Sequence, residues 1–182
     1  MSRAKILQPD LVLGDVVIHL TPALLDHYQL KGLVLDVDET LVPWREKQVS
    51  TDLLAWVSTI KSIADLWLVS NNLSKSRINA IASSLDLPYI FGAGKPSRRK
   101  LRQAVKAMNL PVEKVAMVGD RLFTDILAGN RLGMFTILVD PMVKPEDVGR
   151  PFLIRDAEVW ISQKLGISLQ KTQHKFTNHD KP

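Results

Sequence analysis

Between residues 33 and 139 the chain alternates two kinds of pattern. Compact apolar runs of three to five residues give way to stretches in which apolar residues recur at every third or fourth position. The runs at 33–37, 66–69, 89–91, 115–118 and 135–139 predict five strands. Between them, Ser50 caps a helix carrying Leu53, Val57 and Ile60, and Ser74 caps another whose stripe is Ile78, Ile81, Ala82 and Leu85. A third helix, from about Ser97, buries Leu101, Ala104, Val105 and Met108 and stops before Pro111; Thr124 caps a short one that ends at Gly133. Strand and helix alternating this regularly predict an α/β fold with a doubly wound, parallel, five-stranded sheet of the Rossmann type.

The flanks carry weaker patterns. Thr21-Pro22 reads as the cap and first residue of a short helix reaching Tyr28, while residues 11–20 alternate irregularly and fit either an edge strand or a packed arm. A last helix is expected over 156–165, and from Leu169 the sequence turns polar. The expected organisation is an N-terminal arm over 1–31, one core domain over 32–166 and a disordered polar tail over 167–182. A total of 182 residues suits a single domain of this kind.

Composition narrows the function classes. With 46% hydrophobic and 24% charged residues the chain is globular rather than disordered. No apolar run approaches the roughly 20 residues needed to span a bilayer, and the N-terminus carries no secretory-type apolar stretch, so a cytoplasmic location is expected. The absence of cysteine removes disulfides, thiolate metal sites and cysteine nucleophiles. A net charge of +5 favours anionic partners, whether phosphorylated metabolites, acidic lipid surfaces or nucleic acid, and does not choose among them. The few aromatic residues argue against a stacking platform, so no nucleic acid is expected. The run Arg98, Arg99, Lys100 and Arg102 reads as a solvated helix face, the four histidines match no ligand spacing, and Trp56 reads as core.

In parallel α/β sheets, ligands bind beyond the carboxyl ends of the strands. Four polar clusters fall there: Asp36-Val37-Asp38-Glu39-Thr40, Ser70-Asn71-Asn72, Lys95-Pro96, and Gly119-Asp120-Arg121 with Asp125. Residues two apart on an extended strand point to one side, so Asp36 and Asp38 can converge, and Asp120 adds a carboxylate that would repel both without a cation. Hard oxygen ligands suit Mg²⁺, and a nearby lysine and serine supply donors to a phosphoryl group. The constellation is that of metal-assisted phosphoryl transfer.

These four clusters, in this order and each at a strand end, resemble the motifs of the haloacid dehalogenase (HAD) superfamily of phosphohydrolases. The resemblance implies residue roles. Asp36 would be the nucleophile that forms an aspartyl-phosphate, and Asp38 the general acid and then the general base. Asp36, the Asp38 carbonyl and Asp120 would hold Mg²⁺, with Asp125 supporting the metal's waters. Lys95 would neutralise charge on the nucleophile and phosphoryl group, and Ser70, with Thr40 and Asn71, would contact the substrate. Two aspartates in the first motif point to a phosphatase.

Superfamily members usually insert a cap after the first or second motif, but here about 25 residues separate Thr40 from Leu66, room for a loop and one helix. An uncapped site favours bulky substrates. The wider sequence, including Arg121-Leu122-Phe123-Thr124, Gly129-Asn130-Arg131 and the 136–139 strand, is similar to the uncapped subfamily IIIA branch of the bacterial YqeG type. That branch is related to phosphatidylglycerophosphate phosphatases of phospholipid biosynthesis. The implied substrate is a phosphomonoester on a lipid headgroup, with Arg121, Arg98 or Arg99 reaching a second anion. The alternatives are a soluble phosphatase acting on another phosphomonoester or a phosphoprotein, and a binding protein that has lost turnover. A lipid substrate further implies peripheral contact with an anionic membrane at its inner face, for which the apolar and basic segment 149–165, with Trp160, is the candidate.

Overall fold

The computed structural model describes residues 5–142 and 168–170. Its centre is a six-stranded parallel sheet in the order β1-β6-β5-β2-β3-β4, built from β1 (Leu11–Val12), β2 (Gly32–Leu35), β3 (Asp65–Val69), β4 (Tyr89–Ile90), β5 (Val115–Gly119) and β6 (Phe135–Leu138). Every residue of β2 and β5 is buried, as expected of central strands covered on both faces. Alternate residues serve opposite layers. Leu33 and Leu35 join Leu53, Trp56, Ile60, Ile78 and Ile81 on one face, while Val34 meets Leu101, Val105 and Met117 on the other.

The helices are α1 (Pro22–His27), α2 (Thr51–Lys61), α3 (Lys75–Leu85), α4 (Arg99–Met108) and α5 (Leu127–Leu132). Thr21, Ser50 and Ser74 cap the first three through side-chain oxygens that accept backbone N–H bonds, and Pro22 opens α1. The stripe Ile78, Ile81, Ala82 and Leu85 is buried throughout, as are Leu101, Ala104, Val105 and Met108 of α4. Trp56 is core, and its indole N–H donates to the Leu20 carbonyl over 2.8 Å.

Two expectations are corrected. The sheet has six strands, because Leu11 and Val12 pair with Ile137 and Leu138 at its edge. Side chains fix this short strand: the Asp10 carboxylate accepts from the Thr136 N–H over 2.8 Å, and the Thr136 hydroxyl accepts from the Asp10 N–H over 3.1 Å. Thr124 does not cap a helix. It sits inside a wide helical turn, Leu122–Ile126, in which the Asp125 and Ile126 N–H groups both reach the Arg121 carbonyl. α5 continues from this turn and ends at Gly133, whose φ of 86° is the left-handed cap conformation that glycine adopts freely.

The chain runs outward from β2 through β3 to β4, then crosses back to β5 and β6 on the other side of β2. The winding therefore reverses between β2 and β5, and the crevice at their carboxyl ends is the expected ligand position. Among the described residues no cap stands over it: α2 is the sole helix between β2 and β3, and α3 the sole helix between β3 and β4. No helix among the described residues is long and apolar enough to cross a membrane. The expected helix at 156–165, the segment 149–165 and most of the 167–182 tail lie outside the described residues.

Candidate active site

The loop after β2 carries the first two aspartates. The Asp36 N–H still donates to the Val118 carbonyl, extending the ladder one residue beyond the strand. The chain then reverses tightly: the Leu41 and Val42 N–H groups both reach the Val37 carbonyl, and Glu39 takes a φ of 68°. This turn buries Asp36 and Thr40 and leaves Asp38 partly exposed.

Lys95 lies between two carboxylates. Its ammonium is 2.6 Å from Asp36 Oδ1 and 2.7 Å from Asp125 Oδ1, and all three side chains are buried. Burial alone would drive the charge off Lys95, but the Asp125 and Asp36 carboxylates more than offset it and hold its pKa above the usual lysine range. For Asp36 burial dominates: despite Lys95, its pKa is pushed up to about 6, with Asp125 and Asp38 adding repulsion. Asp120 is also raised, by burial and then by Asp125 and Asp36. The ligand oxygens of Asp36, Asp120 and Asp125 lie within 4.8 Å of one another. Three crowded carboxylates, two of them held back from ionising, meet the charge and oxygen-donor requirements of a small divalent cation such as Mg²⁺. The donor set fits the metal.

Asp125 reaches this cluster because of the wide turn and because residue 119 is glycine. A Cβ on Gly119 would stand 2.4 Å from Asp125 Oδ2. The Arg121 N–H donates to the same oxygen over 3.3 Å.

Asp38 faces a different set of groups. Ser70 donates to Oδ2 over 3.1 Å, Asn72 to Oδ1 over 3.4 Å, and the buried Arg77 guanidinium pairs with Oδ1. Arg77 also donates to the Pro43 carbonyl over 3.1 Å and the Glu46 carbonyl over 2.9 Å, tying the loop after the first motif to α3. Arg77 is not among the site residues that the motifs predict. The signal was present, since residues 77, 81 and 85 share one helical face and the first position of that apolar stripe is an arginine.

Other expected site residues contact neighbouring site groups. The Thr40 hydroxyl donates to Asp120 Oδ1 over 3.0 Å. The Asn71 amide clamps the Lys95 backbone, accepting from its N–H over 2.7 Å and donating to its carbonyl over 3.0 Å. Arg121 stands at the mouth, its Nε 3.8 Å from Asp120 Oδ2. Arg98 is exposed and donates to the Arg131 carbonyl, and Arg99 is also exposed.

The chain is similar to known hydrolases. Residues 92–151 match the HAD-hydrolase-like family. The chain is 35% identical over 131 residues to the probable phosphatase YqeG of Bacillus subtilis, covering 71% of this chain and 76% of that one. It is 28% identical over 163 residues to the chloroplastic phosphatidylglycerophosphate phosphatase 1 of Chlamydomonas reinhardtii, spanning 82% of this chain and 60% of the algal protein. Among solved structures, the putative HAD-hydrolase YfnB of Bacillus subtilis, bound to magnesium, superposes with a TM-score of 0.50 at 13% identity, covering 64% of this chain and 89% of that one.

Proposed function

The chain belongs to the YqeG-type family of HAD-like hydrolases and is a phosphatase; from that premise we propose that it releases phosphate from a phosphorylated lipid headgroup, phosphatidylglycerophosphate, through an aspartyl-phosphate on Asp36. The observation that carries the chemistry is the division of labour between two neighbouring carboxylates. Asp36 is buried against Lys95, while Asp38, two residues on, is held apart by Ser70, Asn72 and Arg77.

An Asp36 carboxylate oxygen attacks phosphorus, and the bond to the headgroup oxygen breaks as Asp38 gives that oxygen a proton. Asp38, now ionised, takes a proton from water as the water's oxygen bonds phosphorus and the bond from phosphorus to the Asp36 oxygen breaks. Inorganic phosphate leaves, and the Asp36 carboxylate and the Asp38 acid are restored. Lys95 balances the charge of Asp36 in the resting site and of the phosphoryl group during transfer. Arg77 fixes the direction of Asp38, Asn71 fixes Lys95, and Thr40 fixes Asp120. A divalent cation would be held by Asp36 and Asp120, with Asp125 beside them and the Asp38 carbonyl as a further donor, and would supply positive charge that offsets the negative charge of the reacting groups.

The lipid substrate is supported by the uncapped crevice and by the resemblance to the algal enzyme. Phosphate release from phosphatidylglycerophosphate in mixed micelles, compared with a panel of soluble phosphomonoesters, tests it. A kcat/KM for the lipid well above the panel is expected; a soluble ester turned over better would replace the substrate and leave the chemistry in place.

A further inference from the structure

Five large apolar side chains are exposed among the described residues. Three of them, Trp44, Leu73 and Phe91, lie on the loops that follow the neighbouring strands β2, β3 and β4, on the side where the crevice opens. Leu73 is the extreme case, with 82% of its surface exposed. Water contact on that scale is unfavourable for a leucine.

The three loops form one rim. The Gly92 N–H donates to the Asn72 carbonyl over 2.9 Å, and a Leu73 methyl lies 3.3 Å from the position a Cβ on Gly92 would take. Arg77, four residues after Leu73, grips the Pro43 and Glu46 carbonyls on either side of Trp44. Each aromatic ring also carries a cation. The Arg45 guanidinium is 5.0 Å from the Trp44 ring centre, and the Lys75 ammonium is 5.9 Å from that of Phe91. Arg45, Lys47 and Lys75 are exposed, and the one acidic residue among 43–47 and 71–75 is Glu46, which is half-buried.

We propose that this rim is a docking surface for an anionic lipid bilayer, in which Trp44, Leu73 and Phe91 enter the headgroup zone while Arg45, Lys47 and Lys75 meet lipid phosphates. The proposal rests on the lipid-phosphate reading of the site and names the surface that delivers the substrate. A protein partner's footprint would have a contiguous apolar core depleted of lysine. Here the apolar groups come from three separate loops with cations beside them, the pattern that suits a headgroup layer. A bilayer against the rim would also cover a crevice over which no cap stands among the described residues, excluding water during transfer.

Co-sedimentation of the full chain tests this, using vesicles of phosphatidylcholine alone and of phosphatidylcholine with phosphatidylglycerol, at low and high salt. The wild type is expected to pellet with the anionic vesicles, to leave the neutral ones, and to be released by salt. Leu73→Ser with Trp44→Ser is expected to weaken binding at least about tenfold while p-nitrophenyl phosphate turnover stays at the wild-type rate. Three results would overturn the proposal: no binding of the wild type to anionic vesicles, unchanged binding of the double variant, or a wild-type dimer in light scattering that the double variant converts to monomer. These vesicles contain no substrate, so binding reports on the surface alone. Hydrolysis of a short-chain, monomeric phosphatidylglycerophosphate reports on the substrate alone; vesicle binding without that hydrolysis would retire the substrate and keep the surface.

Discussion

Replacing Arg77 by alanine removes a buried guanidinium from three acceptors at once: Asp38 Oδ1, the Pro43 carbonyl and the Glu46 carbonyl. Deleting one partner of a buried ion pair costs about 3–5 kcal/mol; the 20% exposure of the Asp38 side chain allows water to replace part of this, so about 3 kcal/mol of stability is the expected loss. The kinetic effect should depend on the leaving group. Asp38 would keep Ser70 and Asn72 but lose the contact that fixes its direction, so proton delivery suffers. An alkyl phosphate needs that proton, and its kcat/KM should fall by about 10²-fold, the lower end for a disabled acid. p-Nitrophenolate leaves without protonation, and kcat/KM reports only steps up to phosphoryl transfer, so that ester should lose no more than about threefold. Arg77→Lys keeps the charge without the planar fork and should fall between the two. The assay is steady-state kinetics on both esters, with Asp38→Asn as the reference for complete loss of the acid. Equal losses on the two esters, or no loss on either, would refute the claim that Arg77 acts through Asp38.

The carboxylate cluster gives further expectations. The folded protein raises the Asp36 pKa to about 6, above its ordinary value of 3.8, so the metal-free fold binds this proton more tightly than the unfolded chain and loses stability as pH rises from about 4 to 6. Mg²⁺ competes with that proton, so its gain in Tm should be larger at pH 7 than at pH 5; a gain independent of pH, read by differential scanning fluorimetry, would contradict the shared site. Gly119→Ala places a methyl on the Asp125 carboxylate, and both a lower Tm and loss of the Mg²⁺ response are expected; a variant with normal values would mean that Asp125 can retreat without consequence. Asn71→Ala frees the Lys95 backbone and should lower kcat by about tenfold through misplacement of the ammonium, with KM changing less; a purely KM effect would point instead to a substrate contact.

What the sequence made legible follows from how far each contact reaches. Periodicity identified α3 and α4 because their apolar stripes are packed against the sheet by burial alone. The strand-end clusters placed Asp36, Ser70, Lys95 and Asp120 around one crevice because parallel strands send all their carboxyl ends to the same side. The edge strand Leu11–Val12 was ambiguous, since two residues have no period and Asp10 and Thr136, more than a hundred residues apart, secure it. Thr124 read as a cap because nothing local announces that the Arg121 carbonyl will accept two N–H groups and that Gly119 will leave room for Asp125. Thr40 and Asn71 read as substrate contacts by their place in the motifs, while their bonds to Asp120 and Lys95 depend on turns that fix side-chain direction. Arg77 leaves only a faint local signal, an arginine on the helical face of Ile81 and Leu85, and its role depends on the Asp38 loop folded over it.

The central claim is that the phosphoryl group passes through Asp36. p-Nitrophenolate needs no proton to leave, so with this ester Asp38→Asn should slow hydrolysis of the intermediate far more than its formation, and a reaction of that variant with p-nitrophenyl phosphate and Mg²⁺, quenched in acid, should hold the intermediate long enough to isolate. Mass spectrometry of the proteolytic peptides is expected to find one added phosphoryl group on the peptide containing Asp36, absent from an Asp36→Asn, Asp38→Asn control. Phosphate on another residue, or undiminished turnover by Asp36→Asn, would contradict the mechanism.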